Sequence, residues 1–140
     1  MANLKVIERN PHSMPVPYVP AGQDATVSSS QKDFKFMNNS RSPLLLWADT
    51  KGNTLYMGIY GRMTSPVVIW HHEILGRKPF PTFYQNNNRL KPGEERVVVP
   101  GAEGVVVRSW LTIKYPNGQK ELKQLGVDRY DPLPRVIERG

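Results

Sequence analysis

His12, Ser13 and Asp24 fall within "ERNPHSMPVPYVPAGQDATV", residues 8 to 27, and are the side chains best suited to chemistry in this chain. A histidine held by a carboxylate works as a general base. The acid fixes the imidazole tautomer and steadies the imidazolium that forms, provided a nucleophile or water is in reach. His12 and Asp24 are the natural base and orienter. Ser13 is a poor partner for His12, because adjacent side chains on an extended backbone point to opposite faces. A plainer reading competes: Asp24 takes backbone hydrogen bonds in the turn after Gly22, as short acids do, while His12 packs beside Pro11. The same alternation keeps His71 and His72 from sharing a metal ion. One of that pair is expected to meet the neighbours of Glu73 across a sheet, at the surface. With three histidines and no cysteine, no metal site is expected. No cofactor is implied either, since the chain has no phosphate loop, dinucleotide fingerprint or metalloprotease signature.

Flat apolar faces are the second kind of chemistry on offer. Trp47, Trp70, Trp110, Tyr56, Tyr60 and Tyr115 are the faces available, and the three tryptophans are read as packing groups, because aromatic side chains on half-buried strands fill cores well. In "TLYMGIYGR", Leu55, Met57 and Ile59 alternate with Tyr56 and Tyr60, so the two tyrosines face away from the apolar side. With Lys51 and Arg62 nearby, Tyr56 and Tyr60 are the candidate ligand-binding residues, suited to stacking on the sugars of an anionic glycan.

The elements that carry these groups are read as strands. Thirteen prolines and eleven glycines disfavour long helices, because proline removes a backbone donor and glycine costs ordering entropy. The fold class is therefore mostly β, with little helix. Residues 2–9 fit either a helix end or a strand. Prolines 11, 15, 17 and 20 hold the next stretch extended; "DATVS" (24–28) and "DFKFMN" (33–38) read as strands. "LLLWAD" and "TLYMGIYGR" form a hairpin through "TKGN". "PVVIWHHEIL" is strand-like, the Pro- and Asn-rich "GRKPFPTFYQNNNRLKPGEE" reads as a linker, and "VVVRSWLTIKY" pairs with "KELKQLGVDRY" through Asn117-Gly118, read as a type I′ turn.

Net charge is +7, from 19 basic and 12 acidic residues, which draws the protein toward polyanions. The charge is spread along the chain without a basic block, so nucleic acid is not an expected partner. The N-terminal residues lack a signal-like apolar run, and no stretch approaches the ~20 apolar residues of a membrane-spanning helix.

"ERNPHSMPVPYVPAGQDATV", "DFKFMNN" and "SPLLLWADTKGNTLYMGIYG" together resemble the C-terminal half of the VanW family, with its His-Ser pair, Tyr-Val-Pro segment and Gly-x-Asp-Ala-Thr-Val element. The sequence from "KPGEERVVVPG" to "PRVIERG" resembles the G-five domain, a small β module often appended to VanW proteins and to wall-active or adhesive surface proteins. The resemblance implies a small β-sheet remnant of a VanW domain at 1–62, a strand and linker region at 63–92, and an elongated G-five-like module at 93–140, whose first strand lies at 66–75. It also implies a bacterial, Gram-positive, extracytoplasmic setting at the cell wall, and a fragment whose export signal lies upstream. The vancomycin-resistance link comes through the family name alone. The expected function is non-catalytic association with peptidoglycan or an anionic wall glycan. The alternative is a Cys-His-Asp peptidoglycan-modifying enzyme, in which an upstream family cysteine is the nucleophile for His12 and Asp24. A third possibility is a structural spacer or protein-interaction arm.

Overall fold

Alternating side chains and turn residues, with no helical periodicity to oppose them, give an all-β chain. The computed structural model describes residues 3–29, 31–62 and 66–140. Among them run β1 (Lys5–Glu8), β2 (Lys35–Met37), β3 (Leu44–Lys51), β4 (Thr54–Gly61), β5 (Val67–Lys78), β6 (Thr82–Asn86), β7 (Glu95–Ala102), β8 (Gly104–Lys114), β9 (Lys120–Tyr130) and β10 (Leu133–Arg139). They form four sheets: β1-β2, β3-β4, β5-β8-β9 and β6-β10-β7. No helix among the described residues is long and apolar enough to cross a membrane.

The segment that fitted either a helix end or a strand is β1, paired antiparallel with β2 through Val6 and Phe36. "DATVS" does not become a strand: Ser28 makes an isolated bridge to Lys32. Its backbone is spent elsewhere, with Thr26 N–H donating to Asn10 O at 2.7 Å and the Asp24 carbonyl accepting from Arg9 Nε at 2.7 Å.

The β3-β4 hairpin forms as its sequence implies. Lys51 pairs with Thr54, leaving a two-residue turn whose first position, Gly52, has φ +60°, the conformation a type II′ turn demands there. The expected contrast between a covered and an open face is missing, however. Met57 is 76% exposed, more than Tyr56 at 50% and Tyr60 at 57%. Trp47, expected in a core, is also exposed. A two-stranded ribbon has no second layer of its own, so neither face is covered by pairing alone.

Asn117-Gly118 turns the chain as expected, but by different geometry. Tyr115 O accepts from Gly118 N–H at 3.0 Å, and Tyr115 N–H donates to Gln119 O at 2.9 Å. Only Gly118 of the pair has positive φ, +85°. This is a three-residue loop, a type I turn closed by a left-handed glycine, because Pro116 fixes a negative φ at the first central position. Gly118→Ala should cost about 1 kcal/mol, the usual penalty for a Cβ in the left-handed region. A thermal melt of the variant checks this, and an unchanged melt contradicts it.

The Pro- and Asn-rich stretch read as a linker holds the end of β5 and all of β6. β5 pairs along β8 from Val67–Lys114 to Lys78–Gly104, and β6 pairs parallel to β10. Proline composition concealed this because Pro79, Pro81 and Pro92 flank β6, which itself contains no proline and keeps its full ladder with β10. Glu138 on β10 ties both neighbours, accepting from Asn87 Nδ2 at 2.8 Å and from Arg96 Nη2 at 2.6 Å. The core lies on the inward face of β8, where Val105, Val107, Ser109 and Ile113 alternate inward. Tyr130 of β9 joins Val105 and Val107, and Ala21 from the proline-rich segment packs on this cluster.

Candidate functional site

The loop from Arg9 to Asp24 is shaped by its turn residues. Pro20 O accepts from Gln23 N–H at 3.0 Å, and Gly22, third in that turn, has φ +89°, as a type II turn requires. The turn delivers Asp24 inward, where it is 3% exposed.

Buried carboxylates need donors, and Asp24 has four. Oδ2 accepts from His12 N–H at 2.6 Å and lies 2.8 Å from His12 Nδ1. Oδ1 accepts from Arg9 Nη2 at 3.3 Å and from the Tyr130 hydroxyl. Burial raises the Asp24 carboxyl, but the hydrogen bonds from His12 and Tyr130 together outweigh it and hold the group below its ordinary value of 3.8. An ionised carboxylate only accepts, so His12 Nδ1 carries the proton and donates. In the neutral ring Nε2 is then the acceptor, facing the Tyr18 hydroxyl at 3.2 Å. The His12 side chain is 25% exposed against 1% for that of Asp24. The arrangement is a base whose inner nitrogen is anchored and whose outer nitrogen faces the surface, the geometry needed to take a proton from an incoming group.

Arg9 extends the site. Its Nη1 meets Asp128 Oδ2 at 3.0 Å, so one guanidinium spans carboxylates from the proline-rich loop and from β9. Gly22 N–H donates to the Tyr130 hydroxyl at 2.8 Å, and Asp131 N–H donates to Ser13 O at 2.7 Å. A Cβ on Gly22 would collide with Ser109 Oγ of β8. Gly22→Ala therefore meets both a crowded neighbour and an unfavourable φ, and should destabilise the fold by about 2 kcal/mol or more, measured by urea denaturation.

The structure thus brings His12 and Asp24 together, and Asp24 also takes the backbone hydrogen bond of the plainer reading. It does not bring Ser13 to His12; Ser13 meets β9's end through its carbonyl. Tyr56, Tyr60, Lys51 and Arg62 belong to or adjoin the β3-β4 hairpin and are exposed. Arg108 pairs with Glu73 itself at 3.4 Å, and His71 reaches across the sheet to Thr112 Oγ1 at 3.0 Å. His71 stacks on Trp110, its cross-strand partner, with centroids 5.4 Å apart, and His72 stacks on Trp70 at 4.5 Å. Among the described residues no cluster of His, Asp and Glu is arranged to hold a metal ion.

Arg9, Tyr18, Asp128 and Tyr130 were not singled out from sequence. Arg9 and Tyr18 lie inside the quoted motif and were open to notice there. Tyr130 contacts Asp24 across 106 residues, and no local pattern announces such a pairing.

A proline-braced loop docked on the strands of a β module defines a two-part, all-β protein with a His-Asp pair at the junction. The known proteins it resembles divide it in the same way. Residues 1–60 match the family described as VanW like protein, and residues 75–140 match the G5 domain. The chain carries a VanW-like segment followed by a G5 domain. Over 59 residues it is 41% identical to the uncharacterized protein YoaR of Bacillus subtilis (strain 168), a match covering 42% of this chain and 20% of that protein. The chain therefore corresponds to about a fifth of that curated relative's length. Solved structures of an IgA1 protease G5 domain and of HP0197-G5 align over 55% of this chain. The first is 23% identical with a TM-score of 0.34 over 93% of its own chain; the second is 13% identical with a TM-score of 0.30 over 100%. At such scores neither alignment bears weight.

Proposed function

We propose that this chain is the wall-associated, base-supplying part of a cell-wall-processing protein and is not a complete enzyme by itself. His12 acts as the general base, Asp24 orients it, and a cysteine thiol from a segment outside residues 1–140 is the nucleophile toward the peptide portion of peptidoglycan. The observation that carries this reading is the 2.8 Å contact between His12 Nδ1 and the buried Asp24 carboxylate, with Nε2 left toward the surface. G5 domains are associated with cell-wall and glycan binding, which suits an extracytoplasmic location and attachment by residues 75–140, the division of labour we assign to the two parts. The test is thiol reactivity in a protein that joins this chain to the cysteine-bearing segment. Alkylation by iodoacetamide should be faster with His12 than in His12→Gln. Equal rates, or no cysteine in the remainder of the protein, would sink the reading.

A second reading, non-catalytic wall binding, is favoured by the β3-β4 hairpin. Asp49 stands opposite Tyr56 and Trp47 opposite Gly58, so Trp47 shares a face with Tyr56 and Tyr60, and all three are exposed. Aromatic faces are electron-rich and attract the polarised C–H groups of sugars, and Lys51 and Arg62 suit the carboxylates of a wall glycan. Pull-down on purified peptidoglycan across a salt series separates the cases. Retention that fades with salt indicates charge-led attachment, salt-resistant retention lost in Tyr56→Ala/Tyr60→Ala indicates stacking, and no retention leaves a spacer or protein-interaction arm.

A further inference from the structure

Tyr130 belongs to the G5 domain by every packing criterion. It is 4% exposed and sits with Val105 and Val107 in the buried cluster of β8 and β9. Its hydroxyl is thus placed by the G5 core, and that hydroxyl reaches out of the module into the VanW-like segment, accepting from Gly22 N–H at 2.8 Å and donating to Asp24 Oδ1. We propose that the G5 domain is a working part of the His12 site, with Tyr130 the positioning residue that sets Asp24 for the imidazole.

The geometry assigns each oxygen of Asp24 a separate task. With Oδ1 taken by Tyr130 and Arg9, the carboxylate cannot rotate without giving up buried hydrogen bonds, so Oδ2 stays directed at His12. Arg9 is held in turn by Asp128 of β9 at 3.0 Å, so two G5 side chains, one by direct contact and one through Arg9, fix the same carboxylate. The charged and titratable groups facing Asp24 are Arg9 and His12 from the VanW-like segment and Tyr130 from β9. Burial, and then the hydrogen bond to Asp24, push the Tyr130 phenol up to about 12, so it remains a donor wherever the protein is folded and active. A base assembled in this way exists only while the G5 domain is docked. Wall attachment through G5 and proton transfer at His12 would then be one mechanical unit. That functional meaning rests on the general-base reading of His12; the structural coupling stands apart from it.

The test uses the 140-residue chain and side-chain NMR. Tyr130→Phe keeps the ring in the core and removes only the hydroxyl. In the folded variant the Asp24 carboxyl should titrate at higher pH than in the native chain, and the His12 Nδ1–H signal should lose its protection from solvent exchange. Asp128→Asn removes an anion along with the anchor of Arg9, so its readout is the Nδ1–H signal alone, which should lose part of its protection as Arg9 loosens. Unchanged Asp24 titration and an unchanged Nδ1–H signal in folded Tyr130→Phe overturn the proposal. If Tyr130→Phe does not fold, unchanged protection of the Nδ1–H signal in Asp128→Asn overturns the proposal. Should both signals move while His12→Ala leaves wall-peptide turnover intact, the coupling holds and the general-base reading of His12 falls.

Discussion

Asp24→Ala should cost the fold about 3–5 kcal/mol, the usual consequence of removing one partner from a buried, hydrogen-bonded charge pair. The alanine leaves the His12 backbone N–H, the His12 Nδ1–H and the Tyr130 hydroxyl without their acceptor at a site where the Asp24 side chain is 1% exposed, while Arg9 keeps Asp128 and the carbonyl of residue 24. Urea denaturation of native and variant chains measures the loss, and a difference below about 1 kcal/mol would mean that the network is not carrying the junction. The same carboxylate gives stability a defined acid limb. Its folded pKa lies below the ordinary 3.8, so the native state favours the charged form. That preference is fully present above pH 3.8 and is lost as pH falls through the lower folded value. Asp24→Asn, which has no proton to gain, should show a shallower decline of unfolding free energy below pH 3.8 than the native chain.

His12→Ala should lower wall-peptide turnover by roughly 10²–10⁴-fold in a protein that supplies the thiol, the range attributed to a positioned general base. The fold should tolerate the change, because Asp24 keeps Arg9, Tyr130 and the backbone N–H of residue 12 as donors and the lost ring is partly solvated. Tyr18→Phe is the internal control. It removes the hydroxyl 3.2 Å from Nε2 but leaves the base intact, and any incoming thiol must displace that hydroxyl in any case. Loss of turnover in His12→Ala with retention in Tyr18→Phe supports proton transfer at Nε2. Equal retention in both would remove His12 from the chemistry, and muropeptide analysis by mass spectrometry distinguishes the two outcomes.

On the proposed reading, the attacking group is a thiol supplied from outside residues 1–140. The sequence has no cysteine, and Ser13 turns its carbonyl to Asp131; the hydroxyl that meets His12 is that of Tyr18, 3.2 Å from Nε2. The His-Asp pair by itself can hold and move a proton at Nε2, but bond exchange at a peptide carbonyl needs an attacking group. The hairpin carries a different potential. Trp47, Tyr56 and Tyr60 are exposed on one face, and Leu46, Leu55, Met57 and Ile59 on the other face are exposed as well.

Much of the fold was legible because its causes are local. Period-two alternation in "VVVRSWLTIKY" implied β8 and "KELKQLGVDRY" its partner, and the Gly52 turn joined β3 to β4, since side-chain alternation and turn conformation act within a few residues. Local rules also misled. "DATVS" has strand composition but spends its backbone on Asn10 and Arg9, and β6 was hidden by prolines that flank it without entering it. Type I′ geometry at Asn117-Gly118 gave way to a three-residue loop because Pro116 restricts the preceding position.

For the candidate site, the sequence by itself determined that His12 and Asp24 share one stiff loop, because closely spaced prolines and the Gly22 turn restrict how that loop can run. Only the tertiary structure decided that Asp24 would be buried, ionised and held by Tyr130, with Arg9 divided between Asp24 and Asp128. The contacts to Tyr130 and Asp128 join residues more than a hundred positions apart, and they form because the loop must cover the inward face of β8 and β9, where Val107 is completely buried. Burial turns a soluble acid into one that must be satisfied, and the donors that satisfy it come from whichever strands the packing of the G5 core brings to it.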